Sequence, residues 1–153
     1  VSMHPQDAMF SVDYVSSRGV ACAGKGPDAI SLNPAKGNHG LQMSEGRDVF
    51  ARACEYLGDE IRAALAKLKL KLADIDWLVP HQANLRILTN VAKSLGLPME
   101  RCVVTVDTLG NTGCASIPIS IHHVLSRIKA GDMVAATAFG GGYSTGAAIL
   151  TRT

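Results

Sequence analysis

The stretch VPHQANLRI, residues 79–87, places a histidine, a glutamine, an asparagine and an arginine directly behind a short apolar run closed by proline. Upstream, DWLVP (residues 76–80) is short and apolar, which suits a buried strand, and Pro80 holds the residue before it extended. Downstream, NLRILTNVAKSLG (residues 84–96) carries Leu85, Leu88, Val91, Ala92 and Leu95 on one helical face. Gly96 is well placed to cap that helix at its C-terminus. Strand, polar loop and helix in this order form one unit of an α/β fold, in which ligands collect at the carboxyl ends of the strands.

The same plan extends to both sides. Residues 8–17 (AMFSVDYVSS) carry β-formers in partial alternation and predict a first strand. Residues 18–40, rich in glycine and holding Pro27, Asn33, Pro34 and Asn38, predict a long irregular loop. From Ser44 onward, Val49, Phe50, Ala53, Cys54, Leu57, Ile61, Ala64, Leu65 and Leu68 recur at helical spacing, the strongest helical signal in the chain. Lys67, Lys69 and Lys71 mark the turn into DWLVP. CVVTV (residues 102–106) predicts a buried strand, and a glycine-rich turn then leads into a helix over about residues 113–129. MVAATAF and GAAILT, separated by GGGYST, predict two final strands joined by a short turn. The expected architecture is α/β, a mixed five-stranded sheet with helices on both faces. Residues 1–40 form its first strand and loop, and residues 41–153 the domain that carries the polar loops.

Composition narrows the function. With 47% hydrophobic and 18% charged residues, 153 residues suffice for one domain with a true core. A net charge of +2, with basic residues not interleaved with aromatics, argues against nucleic acid. No apolar run approaches the length of a membrane span, and the first residues lack the plan of a signal peptide. The chain begins at Val1-Ser2 without an initiator, as a piece of a longer protein would. Cys22, Cys54, Cys102 and Cys114 match neither a zinc pattern nor a disulfide framework, so reduced thiols in a cytoplasmic protein are expected. No metal site is expected: His122 and His123 point about 100° apart on a helix and do not converge.

Three consecutive strands deliver three unusual loops to one rim: PHQAN, DTLGNTG and FGGG. Taken alone, His81 is more often a structural histidine, Asn111 beside Gly110 a turn residue, and FGGG a tight turn. No helix follows FGGG and no Gly-Lys-Ser/Thr is present, so it is neither a dinucleotide fingerprint nor a phosphate loop. Together the loops offer a histidine, a carboxamide and exposed backbone donors, the parts that stabilise a developing oxyanion.

PHQANLRI, GNTGCASIP with its asparagine 30 residues beyond the histidine, and FGGGYSTGAAIL resemble the carboxyl-terminal half of β-ketoacyl-acyl-carrier-protein synthase III, a thiolase-fold condensing enzyme. The resemblance covers roughly residues 41–153. It implies decarboxylative condensation of an acyl-CoA primer with malonyl-carrier protein, without a cofactor. His81 and Asn111 match the pair that hydrogen-bonds the malonyl thioester carbonyl. Gly141 matches the backbone donor of a second oxyanion site, and Phe139 the aromatic residue packed beside the nucleophile. Asn84, Arg86 and Lys93 match positions that meet coenzyme A or the acidic carrier protein; a solvated helix face stands as the alternative, on an equal footing for Lys93 and a lesser one for Arg86. The resemblance also implies an amino-terminal half carrying the nucleophilic cysteine, acyl-carrier protein and coenzyme A thioesters as partners, and a homodimer of the complete enzyme. This chain alone is then expected to be inactive.

Departures from the family pattern stand beside these matches. Gly113-Cys114 replaces a usual serine-alanine pair, and Cys114 is expected to act as a small packed residue. VACAG around Cys22 mimics a nucleophile motif, but no amphipathic helix follows it. Two alternatives stay open: a related condensing enzyme of secondary metabolism or an acyltransferase, and a non-catalytic partner subunit.

Overall fold

The computed structural model describes residues 8–20, 29–32 and 41–153. Four strands form one mixed sheet: β1 (Phe10–Gly19), β4 (Trp77–Pro80), β5 (Met133–Gly140) and β6 (Ser144–Arg152), in the order β1-β6-β5-β4. β4 and β5 run parallel, while β5–β6 and β6–β1 are antiparallel. A separate pair, β2 (Ile30–Leu32) with β3 (Leu41–Met43), stands inside and just beyond the stretch expected to be irregular. The helices are α1 (Gly46–Leu68), α2 (Leu85–Ser94), the single turn α3 (Val106–Leu109) and α4 (Ser116–Val124).

Alternation along the strands sends side chains to two cores, as the pleat requires. Leu78, Ala135, Ala147 and Ile149 face α1 and α2, where Leu57, Ile61, Leu88 and Val91 are buried. Val79, Val134 and Ala136 face the other side, against Val103 and against Val124 of α4. Helices therefore cover both faces, in keeping with the sequence pattern. α1 and α2 pack tightly at Gly58, where an added Cβ would lie 3.1 Å from Ser94 Oγ. Arg62 reinforces this crossing by donating to the Ser94 carbonyl at 2.7 Å. α2 ends as expected: Gly96 adopts φ +68° and its N–H bonds the Lys93 carbonyl at 3.0 Å.

Two expected elements are shorter than the sequence implied. In place of a fifth strand over residues 102–106, Cys102 makes one parallel bridge to Leu78, and the chain turns into α3. The reason lies in the side chain of Gln82, which takes the Val103 carbonyl and the Thr105 and Val106 N–H groups that a longer ladder would use. The helix expected over residues 113–129 is α-helical only from Ser116 to Val124, after a 3₁₀ turn at Gly113–Ala115. Gly113 has φ +61°, outside the helical region, and so delays the start.

Candidate active site

The loop from β4 to α2 is held by its backbone and by one buried amide. His81 N–H donates to the Thr137 carbonyl of β5 at 2.8 Å, which fixes the loop's exit from the sheet. Gln82 is fully buried. Its Nε2 donates to the Pro80 carbonyl at 2.8 Å and the Val103 carbonyl at 3.1 Å, and its Oε1 accepts from Thr105 N at 2.8 Å and Val106 N at 3.1 Å. One side chain thereby joins the histidine loop to the segment that leads to Asn111. Asn84 caps α2, its Oδ1 accepting from Arg86 N at 2.8 Å.

The His81 ring is partly buried, and its Nδ1 lies 2.7 Å from Ser116 Oγ at the start of α4. Burial lowers its pKa from the usual histidine value, so the ring is neutral at neutral pH. The corresponding contribution to stability is present above the ordinary histidine range. It declines as the pH falls below about 6.5, where the unfolded chain takes up the proton more readily.

Asn111 lies on the same rim. Its Oδ1 accepts the Gly113 N–H at 3.0 Å, the bond of a local turn. That bond engages the carbonyl end of the amide and leaves the NH₂ end as its donor. His81 and Asn111 line one cavity of about 650 Å³ together with Phe139, Gly140, Gly141 and Asn84. Val49, Phe50, Ala53, Leu57 and Ile87 supply apolar wall. The arrangement offers polar groups at the rim of a largely apolar chamber, where a hydrogen bond to a developing negative charge counts for more than it does in water.

Phe139 is buried, with its ring centroid 4.9 Å from that of Tyr143 and 6.1 Å from that of Tyr56. Tyr143 is also fully buried, and its hydroxyl donates to Asp48 of α1 at 2.8 Å, anchoring the glycine turn that holds Gly141. Burial, with the Asp48 carboxylate second, pushes the Tyr143 pKa up to about 12.

Arg86 and Lys93 are exposed on α2. The Arg86 guanidinium sits over the Phe50 ring, 5.6 Å from its centroid, beside the cavity mouth. Neither residue lines the cavity. Cys114 is exposed in the 3₁₀ turn rather than packed, because α4 begins two residues later. Cys54 and Cys102 are free thiols whose pKa burial raises, that of Cys102 to about 12. Cys22 lies outside the described residues. Among the described residues, no cluster of three or more His, Cys, Asp or Glu could hold a metal ion, and no helix is long and apolar enough to cross a membrane.

Two residues of this site had no role in the sequence reading, Gln82 and Ser116. Gln82 stands inside the quoted motif, and a glutamine behind a strand-ending proline could have been questioned for burial. Ser116 had no such signal, since CASIPISI reads as an apolar helix with serines between.

The mixed sheet, with helices on both faces and three polar loops gathered at one rim, gives the chain a thiolase-like α/β fold. Residues 65–152 match the family described as 3-oxoacyl-[acyl-carrier-protein (ACP)] synthase III C terminal, and the chain belongs to that family. It is 48% identical over 116 residues to the β-ketoacyl-[acyl-carrier-protein] synthase III of Rhizobium meliloti, a match that covers 74% of this chain and 36% of the relative. With the same enzyme of Methylococcus capsulatus it shares 46% identity over 125 residues, covering 77% of this chain and 39% of the relative. Its fold matches the crystal structure of 3-oxoacyl-[acyl-carrier-protein] synthase III from Aquifex aeolicus with a TM-score of 0.84 and 28% identity. That match covers 95% of this chain and 46% of the other. The chain thus spans less than half the length of the curated relatives it matches.

Proposed function

We propose that this chain is the carboxyl-terminal half of a 3-oxoacyl-acyl-carrier-protein synthase III, which condenses an acyl-CoA primer with malonyl-carrier protein to begin fatty acid synthesis. The observation that carries this reading is the cavity shared by His81, Asn111 and the glycine turn, in a chain of this family. In the reaction, the bond between the malonyl carboxylate and its α-carbon breaks and carbon dioxide leaves. The electron pair passes into an enolate whose charge rests on the thioester oxygen. His81 and the Asn111 amide donate hydrogen bonds to that oxygen, an interaction stronger in the transition state than in the ground state. The enolate carbon then attacks the acyl thioester held on a cysteine of the amino-terminal half. The Gly141 backbone N–H receives the second oxyanion, beside Phe139, and the cysteine thiolate departs. No cofactor takes part.

The amino-terminal half seats against the open groove of about 540 Å³ between β1, β5, β6 and α4. Ala136, Ala138, Ala148 and Ile117 give this groove apolar lining, and His81 and Cys114 line it as well. Of residues 1–40, the described ones contribute β1 and β2, and residues 41–153 contribute the catalytic rim. Asn84, Arg86 and Lys93 receive coenzyme A or the acidic carrier. The complete enzyme is a cytoplasmic homodimer.

The test uses the complete enzyme. Replacing His81 or Asn111 with Ala is expected to slow malonyl decarboxylation by about a hundredfold or more while acyl-thioester formation proceeds. Loss of acylation with normal release of carbon dioxide would overturn the assignment.

Arg86→Glu places a negative charge at the cavity mouth, where the proposed partners are anionic. It is expected to raise KM for the carrier substrate about tenfold at low salt with kcat little changed, and the defect should shrink as salt screens both charges. A KM that stays at the wild-type value at low ionic strength would exclude carrier or cofactor contact at Arg86.

A further inference from the structure

Ser116 is the first residue of α4, and only 1% of it is exposed. Its oxygen lies 2.7 Å from His81 Nδ1 and 3.3 Å from the backbone nitrogen of Gln82. A backbone N–H can only donate, so the Gln82 contact uses an acceptor lone pair of the hydroxyl. The hydroxyl proton then has one acceptor among these partners, His81 Nδ1. If Nδ1 carried a proton instead, the oxygen would meet two donors and its own O–H would be buried without an acceptor.

We infer that Ser116 is a positioning residue that holds His81 as the neutral tautomer protonated on Nε2, so that the ring can serve the cavity only as a hydrogen-bond donor. The assignment follows from counting donors and acceptors at one buried oxygen. It is reinforced by Gln82, whose four side-chain bonds keep its backbone N–H aimed at Ser116. A second ring nitrogen free to accept would make His81 a base, and this network denies it that form. The inference deepens the proposed function by explaining how His81 comes to face the enolate as a donor.

The test reads the tautomer directly. With isotope-labelled histidine nitrogens, long-range nitrogen–proton correlations at about pH 7.5 separate the Nε2–H, Nδ1–H and doubly protonated rings. His81→Gln identifies the His81 signals among the five histidines of the full chain. The wild type is expected to show a single Nε2–H form, Ser116→Ala a mixture of tautomers, and Ser116→Thr, which keeps the hydroxyl, the wild-type form. In the complete enzyme, Ser116→Ala should lower kcat for decarboxylation about 10- to 100-fold with KM nearly unchanged, and Ser116→Thr should recover most of it. A wild-type ring protonated on Nδ1 would overturn the inference. So would a pure Nε2–H form in Ser116→Ala. If Ser116→Ala does not fold, the wild-type spectrum decides alone. An Nε2–H ring in a complete enzyme that does not release carbon dioxide would uphold Ser116 and refute the proposed function.

Discussion

Gln82→Leu is expected to destabilise the chain by about 4 kcal/mol, roughly a thousandfold in the folding equilibrium, the sum of about 1 kcal/mol for each of four buried bonds removed. Leucine nearly preserves the volume, so the loss reports the polar network rather than a cavity. Four backbone groups lose their side-chain partner at once: the Pro80 and Val103 carbonyls and the Thr105 and Val106 N–H groups. Gln82 is fully buried, so water cannot readily replace these bonds. The effect should reach the site as well, since the same amide ties the His81 loop to the segment before Asn111. Urea unfolding of wild type and variant measures the change. A difference below about 1 kcal/mol would mean that the segment after Val103 finds other partners, and that Gln82 does not organise the rim.

That network also marks where sequence reading succeeded and where it stopped. DWLVP, the helix after it and the Gly96 cap were legible because apolar period, proline and glycine act locally. The strand MVAATAF and its antiparallel partner were legible for the same reason. CVVTV was misread because its β-branched content specifies burial, not a ladder. Val103 is buried as expected, but its neighbours bond a glutamine about 20 residues earlier in the chain instead of a strand. In the candidate site, the motifs single out His81, Asn111, Phe139 and Gly141, and all four line one cavity. Ser116 was invisible because its importance depends on a contact across 35 residues of chain. Asn111 was weighed as either a turn residue or a donor. The turn bond of its Oδ1 makes those readings compatible, because it leaves the NH₂ as the donor.

The full chain by itself is expected to catalyse no condensation, and to gain activity when supplied with an amino-terminal half that bears a reactive cysteine. A condensation of this type needs a thiolate to hold the first acyl group while the enolate attacks it. Burial pushes Cys102 to a pKa of about 12 and raises Cys54 as well, so neither forms a thiolate readily at neutral pH. Cys114 is exposed and lines the open groove proposed to receive the partner half, where, in the isolated chain, an acyl group would stand unsheltered from water. The match to the Rhizobium meliloti relative also covers only 36% of that protein, so most of the relative's length has no counterpart in the matched segment. The experiment measures release of carbon dioxide from a malonyl thioester coupled to product formation, with residues 1–153 alone and then with the second half present. Mass spectrometry of the chain after exposure to acyl-CoA locates any acyl group. Full activity from the isolated chain, with an acyl group on Cys22 or Cys114, would show that the nucleophile resides in this sequence and would refute the two-half reading.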